Sequence, residues 1–173
     1  MIQAAQTLIV LTFPILLIVA ALRDLTSYTI PNRLSFGLAG LFPVAALAAG
    51  LPPSLIGLNL AVGLAALVAG MVMFALRWIG GGDAKLFAAA ALWLGWPAML
   101  TDIAVTGLAG GALAVMLLAL RSAHIRPFVP VGATWLGRLA EPGENVPYGV
   151  AIAAGALAAF PASSLMQALG HGL

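Results

Sequence analysis

The charged residues of this chain fall in short clusters between long apolar runs. Met1 to Leu22 carries no charge, and Leu34 to Leu76 carries none over 43 residues. Leu86 to Thr101, Ile103 to Leu120 and Asn145 to Gly170 are also uncharged. A helix crossing a bilayer needs about 20 apolar residues. The 43-residue run holds two such helices, with a turn at Gly50-Leu51-Pro52-Pro53. The pattern predicts an all-α, polytopic membrane protein of about six transmembrane helices, over roughly 4–22, 34–50, 55–76, 84–100, 103–120 and 147–167. Residues 1–173 read as a single membrane-embedded domain, with no internal repeat and no soluble module.

Composition agrees with the pattern. The chain is 63% hydrophobic and only 7% charged, with a mean hydropathy of +1.13. A soluble domain of this length could not hide that much apolar surface. No basic residue precedes the first apolar run, which therefore reads as a retained span rather than a cleaved signal.

Charge supplies an orientation. Arg23 and Arg33 follow the first span, Arg77 and Lys85 follow the third, and Arg121, Arg126 and Arg138 follow the fifth. All seven Lys and Arg residues then lie on one side, which the positive-inside rule makes cytoplasmic. The N- and C-termini are expected to be non-cytoplasmic. The net charge of +2 follows from the same rule and does not argue for a nucleic-acid partner. The lipid bilayer is the expected surrounding, and oligomeric state is not legible. There is no cysteine, which excludes disulfides, thiol catalysis and Cys-ligated zinc.

Several residues read as packing or anchoring features. Gly107 and Gly111 have the small-xxx-small spacing of close helix contacts. Trp93, Trp96 and Pro97 read as an interfacial stop on the non-cytoplasmic side. In the longest loop, 121–146, Trp135, Leu136 and Leu139 suit either a short helix lying on the inner membrane surface or an irregular linker.

Five acidic residues remain to be placed. Asp102 is expected in water at the outer end of a span, and Glu141 and Glu144 in a solvated loop. Asp24 and Asp83 each sit at the cytoplasmic end of a span, and so belong to one layer of the membrane. Either could be a snorkelling carboxylate paired with Lys85 or Arg77. Carboxylates drawn toward the hydrocarbon layer are costly, however, and suggest function. Two that approach closely share one proton and titrate as a pair. Such a dyad can activate a water and protonate a leaving amine. Asp83, near the start of a helix, suits the base; Asp24, at the end of one, suits the acid. Gly80-Gly81-Gly82 gives a backbone that can come close to an extended peptide or to the other aspartate. His124 and His171 are placed on opposite sides of the membrane, and no H-E-x-x-H occurs, so a zinc protease is excluded. No Ser–His pair suits a serine protease, and no cofactor or metal is expected.

These residues also carry a resemblance. The stretch from Asp24 to Arg33, with its D-x5-I-P-N pattern, resembles the first aspartate loop of type IV prepilin peptidases. Gly80 to Leu86 resembles their G-x-G-D-x-K-L segment, whose G-x-G-D core is shared with presenilin-like proteases. Asn145-Val146-Pro147-Tyr148-Gly149 resembles the P-Y-G start of their last helix. The resemblance implies an aspartic endopeptidase of the bacterial inner membrane, its active site at the cytoplasmic face. It implies that Asp24 and Asp83 are catalytic and that a short basic leader is cut from prepilins or pilin-like secretion subunits. Full-length members carry a further cytoplasmic segment with paired cysteines, associated with N-methylation. This chain lacks it and looks like the short form of tight-adherence (Flp-type) pilus systems, so methyltransfer is not expected. Softer roles fall to Gly80, Gly82, Lys85, Pro31, Asn32 and Tyr148. Pro31 and Asn32 would turn the chain back and hold Asp24. Lys85 would hold a substrate carboxylate or tune Asp83, and Tyr148 would face the site. Pro147 suits the first turn of the last helix, with Asn145 as its cap, as a plain helix start. The competing reading is a non-enzymatic transporter or pilus-assembly scaffold with both aspartates in a proton or ion path.

Overall fold

The computed structural model describes residues 2–122, 124–125 and 135–170. Arg126 and His171 lie outside these. Its elements are α1 (Ile2–Ser27), α2 (Asn32–Ala48), α3 (Pro53–Ala75), α4 (Gly81–Leu94), α5 (Ala98–Leu120), α6 (Trp135–Leu139), α7 (Tyr148–Ala159) and α8 (Ser164–Gly170). A 3-10 turn at Phe160–Ala162 joins α7 to α8. No strand occurs among the described residues.

Each of the six predicted segments holds a helix, but the one expected over 84–100 ends at Leu94 and the next begins at Ala98 rather than 103. Four stretches are long and apolar enough to cross a membrane: Leu8–Ser27, Pro53–Ala75, Ala98–Leu120 and Tyr148–Gly170. The helices α2 and α4, with 17 and 14 residues, are shorter. At 1.5 Å per residue, α4 spans only about 21 Å. It compensates by lying inside the protein. Leu86, Ala88 to Ala91, Trp93 and Leu94 are all buried, and α2, α3 and α7 pack around α4. On its other side, α7 packs against α1 and α5.

Glycine sets these contacts. A Cβ added at Gly63 of α3 would lie 3.0 Å from Leu92 Cβ, and one at Gly70 would lie 3.1 Å from Ala84 Cβ. Close backbone approach through small residues is how helices gain van der Waals contact where lipid offers no hydrophobic advantage. On α5 the packing glycine is Gly110, which faces the Tyr148 ring. Gly107 and Gly111 have nothing near them, contrary to expectation. They lie on an outward face of the helix, one residue or about 100° round from the stripe of Asp102, Thr106 and Gly110 that meets α7.

Two further expectations are corrected. Trp93 is not at an interface. It is fully buried, stacked on Phe13 at 5.1 Å between ring centroids and edge-on to Phe42 at 6.2 Å. Its indole N–H donates to the Leu38 carbonyl at 2.8 Å, which satisfies the polar end of a core side chain. Of the two tryptophans, only Trp96 is exposed, at 53%. Asp102 is not in water either, at 0% exposure. The chain turns sharply after Gly95, so α5 begins at Ala98 and carries Asp102 past its first turn. In the long loop, a five-residue helix does form over Trp135–Leu139, with Leu139 buried and Trp135 exposed. The Leu136 side chain lies outside what is described.

Candidate active site

The chain's connectivity brings the ends of α1, α3 and α5 together with the starts of α2, α4 and α7. Arg23, Arg33, Arg77, Lys85, Arg121 and Arg138 all belong to this end, as do Asp24 and Asp83. The grouping of described charges inferred from the sequence is thus reproduced in space.

Asp24 lies within the last turn of α1, not beyond it as expected, and is 5% exposed. Its Oδ2 accepts a hydrogen bond of 2.7 Å from the Gly149 backbone N–H. Gly149 is in the first turn of α7, where backbone N–H groups have no partner within their own helix. Asp24 therefore serves as a cap supplied by another helix, at the positive end of the α7 dipole. Pro147 precedes the first helical residue of α7, Tyr148, and no side chain of its own segment caps that helix end. The expected Asn145 cap is not formed; the Asn145 carbonyl instead accepts from Arg121.

Asp83 is the third residue of α4 and is half-buried. Its Oδ2 accepts a 3.1 Å hydrogen bond from the Gly80 N–H, the reciprocal half of a capping box. Each carboxylate thus faces N–H donors at a helix start. The contrast between a helix start for Asp83 and a helix end for Asp24 no longer separates a base from an acid.

Ile30 is the spacer between the two helix starts. A Cβ at Gly82 would lie 3.2 Å from Ile30 Cβ. One at Gly149 would lie 2.7 Å from Ile30 Cδ1 and 2.9 Å from Asp24 Oδ2. Gly149 must therefore be glycine for Asp24 to reach its N–H. Neither Ile30 nor Gly149 was singled out as a site residue from sequence, although both lie within the motifs quoted above. The glycines of 80–82 also make close local contacts. A Cβ at Gly80 would meet Asp83 Oδ2 at 2.9 Å, Gly81 packs on the Phe74 ring, and Gly82 packs on Ile30.

Asp24 and Asp83 line one cavity of about 710 Å³, together with Tyr28, Phe74, Trp78 and Tyr148 among others. That volume is in the range of sites that hold ligands. Tyr148 lines the cavity, with its ring against Gly110. Tyr28 has a left-handed backbone, φ 52°, just after α1. Burial pushes its phenol above the usual tyrosine value, while the neighbouring Arg121 guanidinium pulls it back.

Lys85 does not reach toward Asp83. Two residues apart on a helix, they point to different sides. The Lys85 ammonium donates to Asn32 Oδ1 at 2.9 Å and lies over the Phe36 ring. Pro31 and Asn32 begin α2, and Asn32 ties α2 to α4 rather than touching Asp24. Among the described residues no group of three or more His, Asp or Glu side chains could hold a metal ion.

The sequence profile of the type IV leader peptidase family matches residues 11–161. No curated protein and no solved structure gives a significant match. The profile covers most of the chain, including both aspartates and the start of α7, and the chain belongs to the type IV leader peptidase family.

Proposed function

We propose that this member of the family is an aspartic endopeptidase that removes short basic leaders from prepilins, Flp-type or pilin-like, with Asp24 and Asp83 as its catalytic pair. The observation that carries the proposal is the shared cavity. Two carboxylates from distant parts of the chain open into one space of about 710 Å³. Two carboxyl groups facing one site hold a single proton between them. The ionised member takes a proton from water as it attacks the scissile carbonyl. The protonated member donates to the leaving amine.

The side of the membrane follows from charge. The cavity lies at the end that gathers the described Lys and Arg residues, which the positive-inside rule makes cytoplasmic. Both termini then face away from the cytoplasm, with α2 and α4 completing six crossings of a bacterial inner membrane. A leader that has not yet been exported is found on that same side. A transporter would be expected to place its charged groups nearer the bilayer midplane. Here both aspartates of the pair belong to one end.

The test is co-expression with a prepilin-type protein, following the substrate's mass. The wild type should release the leader, and the double variant Asp24→Asn/Asp83→Asn should leave the precursor intact while still inserting in the membrane. Cleavage that persists in the double variant would end the proposal.

A further inference from the structure

We infer that Arg121 is a positioning residue for the site: it staples the chain leading into α7 so that the Gly149 N–H is presented to Asp24. The inference rests on the reading of Asp24 as catalytic for its functional consequence, but not for its structural one.

Gly149 is only four residues beyond Asn145, and Glu144 to Pro147 has no regular secondary structure. No side chain of its own segment caps α7. What fixes this stretch is the guanidinium of Arg121, the residue that ends α5. Its Nε donates to the Leu139 carbonyl at 2.9 Å, one terminal nitrogen donates to the Glu144 carbonyl at 2.9 Å, and the other donates to the Asn145 carbonyl at 3.1 Å. Three nitrogens thus serve three backbone acceptors on both sides of the Glu141–Gly143 turn. The rigid fork of arginine suits this, and the single ammonium of lysine does not.

The same guanidinium also lies beside the Tyr28 phenol. Tyr28 closes the end of α1, with its N–H donating to the Asp24 carbonyl at 2.8 Å. Arg121 therefore bonds the chain leading into the start of α7, which carries Gly149, and stands near the end of α1, which carries Asp24. Tyr28, Asn145 and Tyr148 all line the cavity, while Arg121 stands behind them. Among the described residues, Arg138, 5.9 Å from the Tyr28 ring, is a further cation at this junction, and Glu144 is an acid near it. Neither replaces the three-carbonyl staple.

The experiment compares the full-length wild type with Arg121→Gln and Arg121→Lys in lipid nanodiscs. Two readouts are taken: hydrogen exchange at the Gly149 amide, and leader-cleavage kinetics. Both variants should speed exchange at Gly149 by about tenfold or more, while exchange across Leu86–Leu94 of α4 stays unchanged. In both, kcat should fall roughly 10- to 100-fold, the scale of a misplaced catalytic group, with KM changed less than about threefold. If Arg121→Gln fails to insert, Arg121→Lys decides by the same readouts. Wild-type exchange at Gly149 in Arg121→Lys would mean that a point charge suffices, and would overturn the staple. An exchange effect without any wild-type cleavage would keep the staple and reject the peptidase reading instead.

Discussion

Asp24 and Asp102 are both buried carboxylates on apolar helices, and both face α7 across a glycine. Their settings differ in one respect that decides what each can do. Asp24 meets α7 at its first turn, where the Gly149 N–H is free to donate. Asp102 meets α7 at Gly155, in the interior of the helix, where the N–H is already committed to the helical ladder. Asp102 Oδ1 takes its hydrogen bond from Thr106 of its own helix instead, at 3.0 Å, and Oδ2 is left without a partner. Asp24 also opens on the large cavity, whereas Asp102 is enclosed. Burial alone therefore does not set the proposed catalytic carboxylate apart; the free helix start and the open space beside Asp24 do.

The widest separation between the two should come from their glycines. Gly149→Ala puts a Cβ against Asp24 Oδ2 and Ile30, and leader cleavage should fall about 100-fold or more, measured as kcat in nanodiscs. Gly155→Ala drives a Cβ into Thr106 and Asp102. It should cost about 1–3 kcal/mol of stability by overpacking, read as a lower melting temperature, with cleavage per folded molecule kept. If Gly155→Ala proved as inactive as Gly149→Ala while folded, the contrast would collapse. Trp93→Ala should behave like Gly155→Ala and more so, losing about 3 kcal/mol with its ring contacts and the bond to Leu38, again with little change in cleavage by the folded fraction. Removing the hydroxyl by Thr106→Ala should cost about 1 kcal/mol, from the bond it donates to Asp102 within α5. Lys85→Gln should be as mild, losing about 1 kcal/mol from the tie to Asn32 and changing kcat by a few-fold at most. A near-complete loss of activity in Lys85→Gln would instead return Lys85 to the site.

The two aspartates were legible because so few charges occur in the chain that each stands out, and because each lies in a recognisable motif. The gathering of basic residues at one end was legible for the same reason. What sequence could not provide was the phase and boundary of each helix. Asp102 reads as exposed if α5 starts at 103, and becomes core once α5 starts at Ala98. Trp93 follows the habit of tryptophan at interfaces until Phe13 and Phe42, from two other helices, enclose it. The Gly107–Gly111 spacing was visible, but only the three-dimensional phase of α5 shows that Gly110 makes the contact. Gly149 and Ile30 sat within quoted motifs, yet their roles depend on a bond from α7 to the distant end of α1. Local pattern does not carry such a contact.

The most direct measurement is cleavage of a synthetic prepilin-type leader peptide by purified protein in nanodiscs, comparing Asp24→Asn, Asp83→Asn and Asp102→Asn. The paired-carboxylate account predicts that the first two each lose at least about a thousandfold in kcat, within the range of acid–base catalysis. Asp102→Asn should stay within about threefold of wild type, since the amide oxygen can still accept from Thr106. Near-wild-type cleavage by either Asp24→Asn or Asp83→Asn, with the protein folded, would contradict the account.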